Sequence, residues 1–146
     1  MGTAEATRGR NRAAIEFRDL LDEALSELDT DDKAGPLLRA AGLRMRFDFT
    51  DLRMVLNVAA SEERSHHLRW KFSDAVDWEP KLNLSMDSQV ANAYLQGKES
   101  LAIAIARGRV RWSGETRCAL LYVPVLRLVA GPYRRLARRE YPHLLV

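Results

Sequence analysis

Hydrophobic residues recur along this chain with two different periods, and these periods predict its elements. Over residues 11–28, apolar side chains stand three and four positions apart, with Arg18, Asp22 and Glu27 on the opposite side. This spacing predicts an amphipathic helix, because residues three and four apart share one helical face. The polar segment 29–36 is expected to end the helix and to act as a connector. Residues 1–10 have no apolar period, and we expect them to be disordered.

After Gly42 the apolar period changes to two, which is typical of half-buried strands. Alternation predicts three successive strands over residues 43–49, 54–58 and 68–72, with short turns between them. A longer connection leads to a fourth alternating segment over 82–86, and a fifth follows at 110–112. The first three strands are expected to form an antiparallel meander.

The sequence predicts two helices between the fourth and fifth strands and further helices after the fifth strand. Asp87 stands at a helix N-cap position and Gly97 at the corresponding C-terminal stop, and a second short apolar helix is expected over 99–107. Beyond Gly114 the pattern is mostly helical, with interruptions expected near Pro124 and Pro132. The sum is an α+β domain over 11–146: a five-stranded, mainly antiparallel sheet with helices covering one face.

Composition and charge restrict the class of protein. A chain of 146 residues fits one domain with a sizeable core, and the single Cys118 excludes an internal disulfide framework. The longest apolar run contains Pro124 and Arg127 and is too short to span a membrane. Because there is one cysteine and the first residues lack the pattern of a secretory signal, we expect a cytoplasmic protein. Residues 37–146 carry 18 basic and 11 acidic side chains, a net charge of +7. This bias favours partners with phosphate or carboxylate groups.

One segment carries a family resemblance. An apolar strand ends at Met86-Asp87, an amphipathic helix ends at Gly97-Lys98, and a second helix leads through Gly108 and an alternating strand to Gly114-Glu115. This order resembles the sterol carrier protein type two family of lipid-binding domains. Phe47-Asp48-Phe49-Thr50-Asp51 is similar to the family's first strand and turn, whereas Val90 stands where the family often has an acid.

The resemblance implies a non-catalytic carrier that needs no cofactor. It also implies that the chain is a bacterial member of the family. The ligand would be a sterol, a fatty acyl chain or another hydrophobic small molecule in an internal tunnel, a hydrophobic cavity between sheet and helices. Inward alternation and helix faces select ten candidate lining residues: Phe47, Phe49, Trp70, Met86, Tyr94, Leu101, Ile105, Trp112, Leu120 and Leu121. The alternative for each residue taken singly is an ordinary core position, which the same apolar period predicts, and the Tyr94 hydroxyl could contact a lipid headgroup or be satisfied locally.

Outward strand positions predict a basic sheet face. Its candidate contact residues for an anionic membrane or a partner protein are Arg44, Arg46, Arg69, Lys71, Arg109 and Arg111. The alternative is a solvated face whose cations pair with neighbouring acids. A second cationic cluster lies on the expected C-terminal helix, at Arg134, Arg135, Arg138 and Arg139.

Residues for catalysis or metal binding are not indicated. His66 and His67 are expected on one strand with opposite orientations, and no Cys or carboxylate stands at a metal-ligand spacing. Cys118 is expected to be a buried, inert thiol. No nucleic acid is expected, because exposed aromatic residues do not interleave with the cations. The alternative function is a protein-interaction or accessory module without a ligand, and the oligomeric state, a dimer included, stays open.

Overall fold

The computed structural model describes residues 2–146, with the side chains of residues 9 and 12–146. The segments with alternating apolar residues form a five-stranded sheet in it. The strand order is β3-β2-β1-β4-β5. Three neighbouring pairs are antiparallel and the pair β1 and β4 is parallel, so the sheet is mixed but mainly antiparallel, as predicted. The strands are β1 (Arg44–Phe49), β2 (Met54–Ala60), β3 (Leu68–Lys71), β4 (Leu82–Met86) and β5 (Val110–Gly114).

Helices cover one face of this sheet, which confirms the α+β class. They are α1 (Gly2–Asp29), α2 (Ala34–Ala40), α3 (Ser88–Leu95), α4 (Leu101–Ala106), α5 (Thr116–Leu126) and α6 (Ala130–Glu140), with 3-10 turns at Arg127–Val129 and Pro142–Leu144. The predicted cap of α3 is present, since Asp87 Oδ1 accepts a hydrogen bond of 3.0 Å from the Gln89 N–H. In the same way the side chain of Ser100 accepts from the N–H of Ile103 and caps α4.

The core lies between the sheet and the helices. Met45 of β1 pairs with Leu82 of β4, and both are fully buried. Leu20 and Leu28 of α1 pack onto this face, and Tyr133 of α6 is fully buried beside them. Because side chains alternate along a strand, the neighbouring positions of β1 and β4 lie on the opposite face.

Four local expectations differ from the structure. Helix α1 begins at Gly2 rather than at residue 11, since alanine and charged residues favour a helix even without an apolar period. Helix α2 lies within and beyond the expected connector 29–36. Pro132 stands in the first turn of α6, where a missing N–H costs little, so it does not interrupt that helix. His66 and His67 precede β3 instead of lying in it.

Candidate functional site

A small central cavity lies between the sheet and helices α1 and α3. Its surface is entirely apolar, and its lining includes Phe47, Phe49 and Met86 from the sheet. Its volume is about 40 Å³. A water molecule needs roughly 10–15 Å³ on a comparable measure, and a cavity that takes up benzene is on the order of 150 Å³. The central cavity therefore does not accommodate an acyl chain or a sterol in this conformation.

A larger apolar space, which we call the open groove, lies at the edge of the sheet between β4, β5, α4 and α5. Its volume is about 340 Å³, and its surface is almost entirely apolar. The lining residues are Leu82, Leu84, Leu101, Ala102, Ile105, Trp112, Thr116, Ala119, Leu120, Val123 and Pro124. Pockets for small ligands span roughly 300–1,000 Å³, so the open groove falls at the lower end of that range.

A third space, the Tyr94 pocket, adjoins the open groove. Leu101, Ala102 and Val123 line both spaces, which places the two side by side. The Tyr94 pocket has a volume of about 480 Å³ and is more polar, because Lys98 and Arg127 are among its lining residues. A continuous surface therefore passes from an apolar groove to a polar pocket, where Glu99 lies among the lining residues together with the two cations.

The Tyr94 side chain lines both the central cavity and the Tyr94 pocket. Its hydroxyl is buried and has no hydrogen-bond partner among the described side chains and backbone. Burial raises the pKa of Tyr94 to about 12, although the charge of Arg127 opposes the shift. By contrast, the buried Tyr133 hydroxyl donates to Asn92 Oδ1 at 2.7 Å. A buried hydroxyl without a partner is costly, which makes Tyr94 the candidate contact for a polar ligand atom.

The ten candidate lining residues are divided among several places. Phe47, Phe49, Met86 and Tyr94 line the central cavity, and Leu101, Ile105, Trp112 and Leu120 line the open groove. The indole N–H of Trp70 donates to Asp22 Oδ1 at 2.8 Å, which holds that ring against α1. Leu121 is 50% exposed and lines neither space, because it points away from the groove on α5.

Several lining residues of the two larger spaces were not among the candidates. Ala102, Ala119 and Val123 line the open groove, and their small side chains leave its floor accessible. Arg127 of the Tyr94 pocket was not a candidate either. A single cation inside the apolar run of residues 118–131 was the available signal for it.

Half of the predicted basic face is neutralised by ion pairs. Arg46 pairs with Asp48 at 3.2 Å and with Asp74 at 2.8 Å. Arg69 lies 3.5 Å from Asp77 and stacks on the ring of Trp78, and Arg109 pairs with Glu99. Arg44, Lys71 and Arg111 have no ion pair in the described part of the chain. The acids come from β1 itself, from the loop after β3 and from the segment before α4.

A carboxylate at the end of α1 joins this helix to the sheet. Asp29 accepts hydrogen bonds from the N–H groups of His67 and Leu68 at 2.7 and 2.8 Å, and it contacts His66 Nδ1 at 2.6 Å. Burial alone would raise the pKa of Asp29, but these three bonds outweigh it and lower the pKa. The same contact raises the pKa of His66.

Other reactive groups are few among residues 12–146. Cys118 is buried, as predicted, and its thiol contacts Glu115 Oε2 at 3.1 Å. The side chains within the described ranges form no cluster of three potential metal ligands. None of the helices described is both long and apolar enough to cross a bilayer.

Comparisons with known proteins bear on the fold. No family model matches the chain, and no curated protein does either. The UbiJ-SCP2 ubiquinone synthesis protein matches with a TM-score of 0.55 and 13% identity, over 73% of this chain and 85% of that one. The sterol carrier protein domain 2 of Helicoverpa armigera matches with a TM-score of 0.53 and 15% identity, over 80% and 86% of the two chains.

A segment of a much longer enzyme is similar as well. The stereoselective inverting sec-alkylsulfatase Pisa1 from Pseudomonas sp. matches with a TM-score of 0.51 and 13% identity. The match covers 62% of this chain but only 14% of the enzyme. Because the matches over most of both chains are sterol carrier domains, the chain has the sterol carrier protein 2 fold.

Proposed function

We propose that this protein is a non-catalytic carrier of a hydrophobic small molecule, with the open groove as its binding site. The observation that carries the proposal is an apolar space of about 340 Å³ at the edge of a sterol carrier fold. Each CH2 group that leaves water there contributes about 0.8 kcal/mol before ordering costs. A millimolar Kd requires about 4 kcal/mol net, so more than about five methylene groups must leave water before binding becomes measurable.

The polar end of the ligand is proposed to lie in the Tyr94 pocket. The unpartnered Tyr94 hydroxyl would gain a hydrogen bond from a hydroxyl, carbonyl or carboxyl group. Lys98 and Arg127 line the same pocket, and its acid, Glu99, is already paired with Arg109, so the pocket favours an oxygen-rich or anionic group. The ligand would thus lie across Leu101, Ala102 and Val123, with its apolar part toward Trp112.

An internal tunnel is the finer form of this proposal. Phe47 and Leu84 are direct partners in the β1 and β4 register, and Phe47 lines the central cavity while Leu84 lines the open groove. The two spaces are thus neighbours on one sheet face. A tunnel along the sheet would have to pass over this pair of side chains, with a change in their rotamers.

The experiment is native mass spectrometry of the purified protein, together with a variant that fills the groove. Ala119→Phe adds a ring to a lining position, and Ala40→Phe adds the same ring to an exposed position on α2 outside the groove. We expect the wild type and Ala40→Phe to carry a hydrophobic ligand and Ala119→Phe to lose it. A wild type that carries no such molecule, even after incubation with a fatty acid, would contradict the proposal.

The alternative is an interaction module that uses the basic sheet face. The observation in its favour is that Arg44, Lys71 and Arg111 form no salt bridge with any described residue. In that case Lys71→Glu with Arg111→Glu would abolish binding to an acidic partner. The carrier proposal expects ligand copurification to be unchanged in this double variant.

A further inference from the structure

Exposed apolar side chains are concentrated around one end of the molecule. Seven large apolar side chains are exposed in the described part of the chain, and four of them belong to α4, β5 and α5. Trp112 is 41% exposed and Leu120 75% exposed at the mouth of the open groove. Ile103 and Leu121, 51% and 50% exposed, lie on the two helices that flank the groove without lining it.

The same segment is strongly basic. Residues 97–127 contain six Lys and Arg side chains and two Glu side chains, a net charge of +4. Arg107, Arg111 and Arg117 are exposed and make no ion pair with any described side chain. Arg109 alone is neutralised, by Glu99. Arg107 at the end of α4 and Arg117 on α5 therefore accompany the exposed apolar side chains of the same helices, an arrangement complementary to a negatively charged surface with an apolar interior.

We propose that this end of the molecule docks on an anionic lipid bilayer. The docking rim consists of Ile103, Trp112, Leu120, Leu121, Arg107 and Arg117. The arginines would contact acidic headgroups, and the four apolar side chains would enter the headgroup region beneath them. An indole at the margin of such a surface suits the membrane interface, because its ring is both apolar and a hydrogen-bond donor.

The docking rim and the mouth of the open groove share residues. Trp112 and Leu120 belong to both, so a docked molecule would hold the groove mouth against the bilayer. A hydrophobic ligand would then pass between membrane and protein without crossing water. This part of the inference rests on the proposed carrier function, whereas docking itself does not depend on a ligand.

The test is cosedimentation with vesicles of phosphatidylcholine alone and of an equal mixture of phosphatidylcholine and phosphatidylglycerol. We expect binding to the mixed vesicles, weakened by added salt. Ile103→Asp with Leu121→Asp should reduce binding by at least tenfold, and Arg107→Gln with Arg117→Gln by roughly fivefold for each arginine. The matched control is Ile15→Asp with Leu37→Asp, which changes positions of 60% and 56% exposure elsewhere and should bind as the wild type does.

Fluorescence adds a second measurement, since Trp112 should shift to shorter wavelength on docking and Trp112→Phe should remove that shift. Three outcomes would overturn the inference: no binding of the wild type to mixed vesicles, equal loss in the control pair, or a wild-type dimer that Ile103→Asp with Leu121→Asp converts to a monomer. The last outcome would assign the rim to a second copy of the chain.

Native mass spectrometry of the same variants separates this inference from the proposed function. Ile103 and Leu121 do not line the open groove, so their aspartate variants should keep a copurified ligand while they lose vesicle binding. A protein that carries lipid but ignores vesicles refutes docking alone. A protein that binds mixed vesicles through this rim but never carries a ligand refutes the carrier function alone.

Discussion

Removal of one hydroxyl group, in Tyr94→Phe, tests whether the Tyr94 pocket receives a polar atom. The hydroxyl is buried without a partner among the described groups, and burial raises its pKa to about 12. An unsatisfied buried polar group costs about 1–3 kcal/mol. We therefore expect Tyr94→Phe to stabilise the ligand-free protein by about 1 kcal/mol, which for a chain of this size raises Tm by roughly 2–4 °C.

The ligand-binding effect of the same variant has the opposite sign. If the hydroxyl meets the polar end of the ligand, its loss removes one hydrogen bond of about 0.5–1.5 kcal/mol. This corresponds to binding that is roughly 2–12 times weaker. The loss should appear with a fatty acid or a fatty alcohol and be absent with an alkane of the same length, which has no polar end.

Delipidated protein and two calorimetric assays measure both effects. Differential scanning calorimetry gives Tm, and titration with the three ligands gives Kd. Tyr133→Phe is the matched control. It removes the hydrogen bond that the Tyr133 hydroxyl donates to Asn92, so it should lower Tm instead of raising it. A Tyr94→Phe variant that is less stable than the wild type, or that binds the fatty acid and the alkane with unchanged affinity, would refute the reasoning.

Three further predictions concern the framework of the fold. Gly114 has φ 123°, and a Cβ there would lie 2.3 Å from the carbonyl oxygen of Lys81, so Gly114→Ala should destabilise the fold by about 1–3 kcal/mol. Gly131→Ala meets no atom within 4 Å in α6 and should be neutral or stabilise by up to about 1 kcal/mol in a urea titration. The contact between Asp29 and His66 should contribute most between pH 3.8 and 6.5, their ordinary pKa values, because the pKa of Asp29 is lowered and that of His66 raised. Stability from this contact is lost as pH falls through the folded pKa of Asp29 and as it rises through that of His66, and urea titrations across pH should show His66→Gln without the alkaline loss.

The strands and the cap of α3 were predictable because their causes are local. Alternation over residues 82–86 places Leu82, Leu84 and Met86 on one face whatever the strand pairs with. Asp87 accepts a hydrogen bond from an N–H only two residues away, so its role as a cap can be inferred from the sequence. These signals were enough to predict the α+β class and the face on which the core lies.

Helix α2 and the parallel pairing of β1 with β4 depend on distant contacts. The α2 segment begins with Ala34-Gly35-Pro36, which in sequence favours a turn. Tertiary packing makes it helical, since Leu38 is buried in the core and Gly35 lies against the ring of His67. The parallel pair joins residues 37 positions apart, and strand alternation contains no information about which neighbour a strand selects.

The candidate site was predicted as one cavity, whereas the structure divides its apolar residues between two spaces. Alternation places Phe47 and Trp112 on the same sheet face, but it does not say which helices cover each strand. Helices α1 and α3 lie over Phe47 and leave a cavity of about 40 Å³. Over the edge strand β5, the short α4 and α5 leave the open groove. An edge strand with incomplete cover leaves Trp112 and Leu120 exposed, and that exposure is what a hydrophobic ligand or a bilayer would remove.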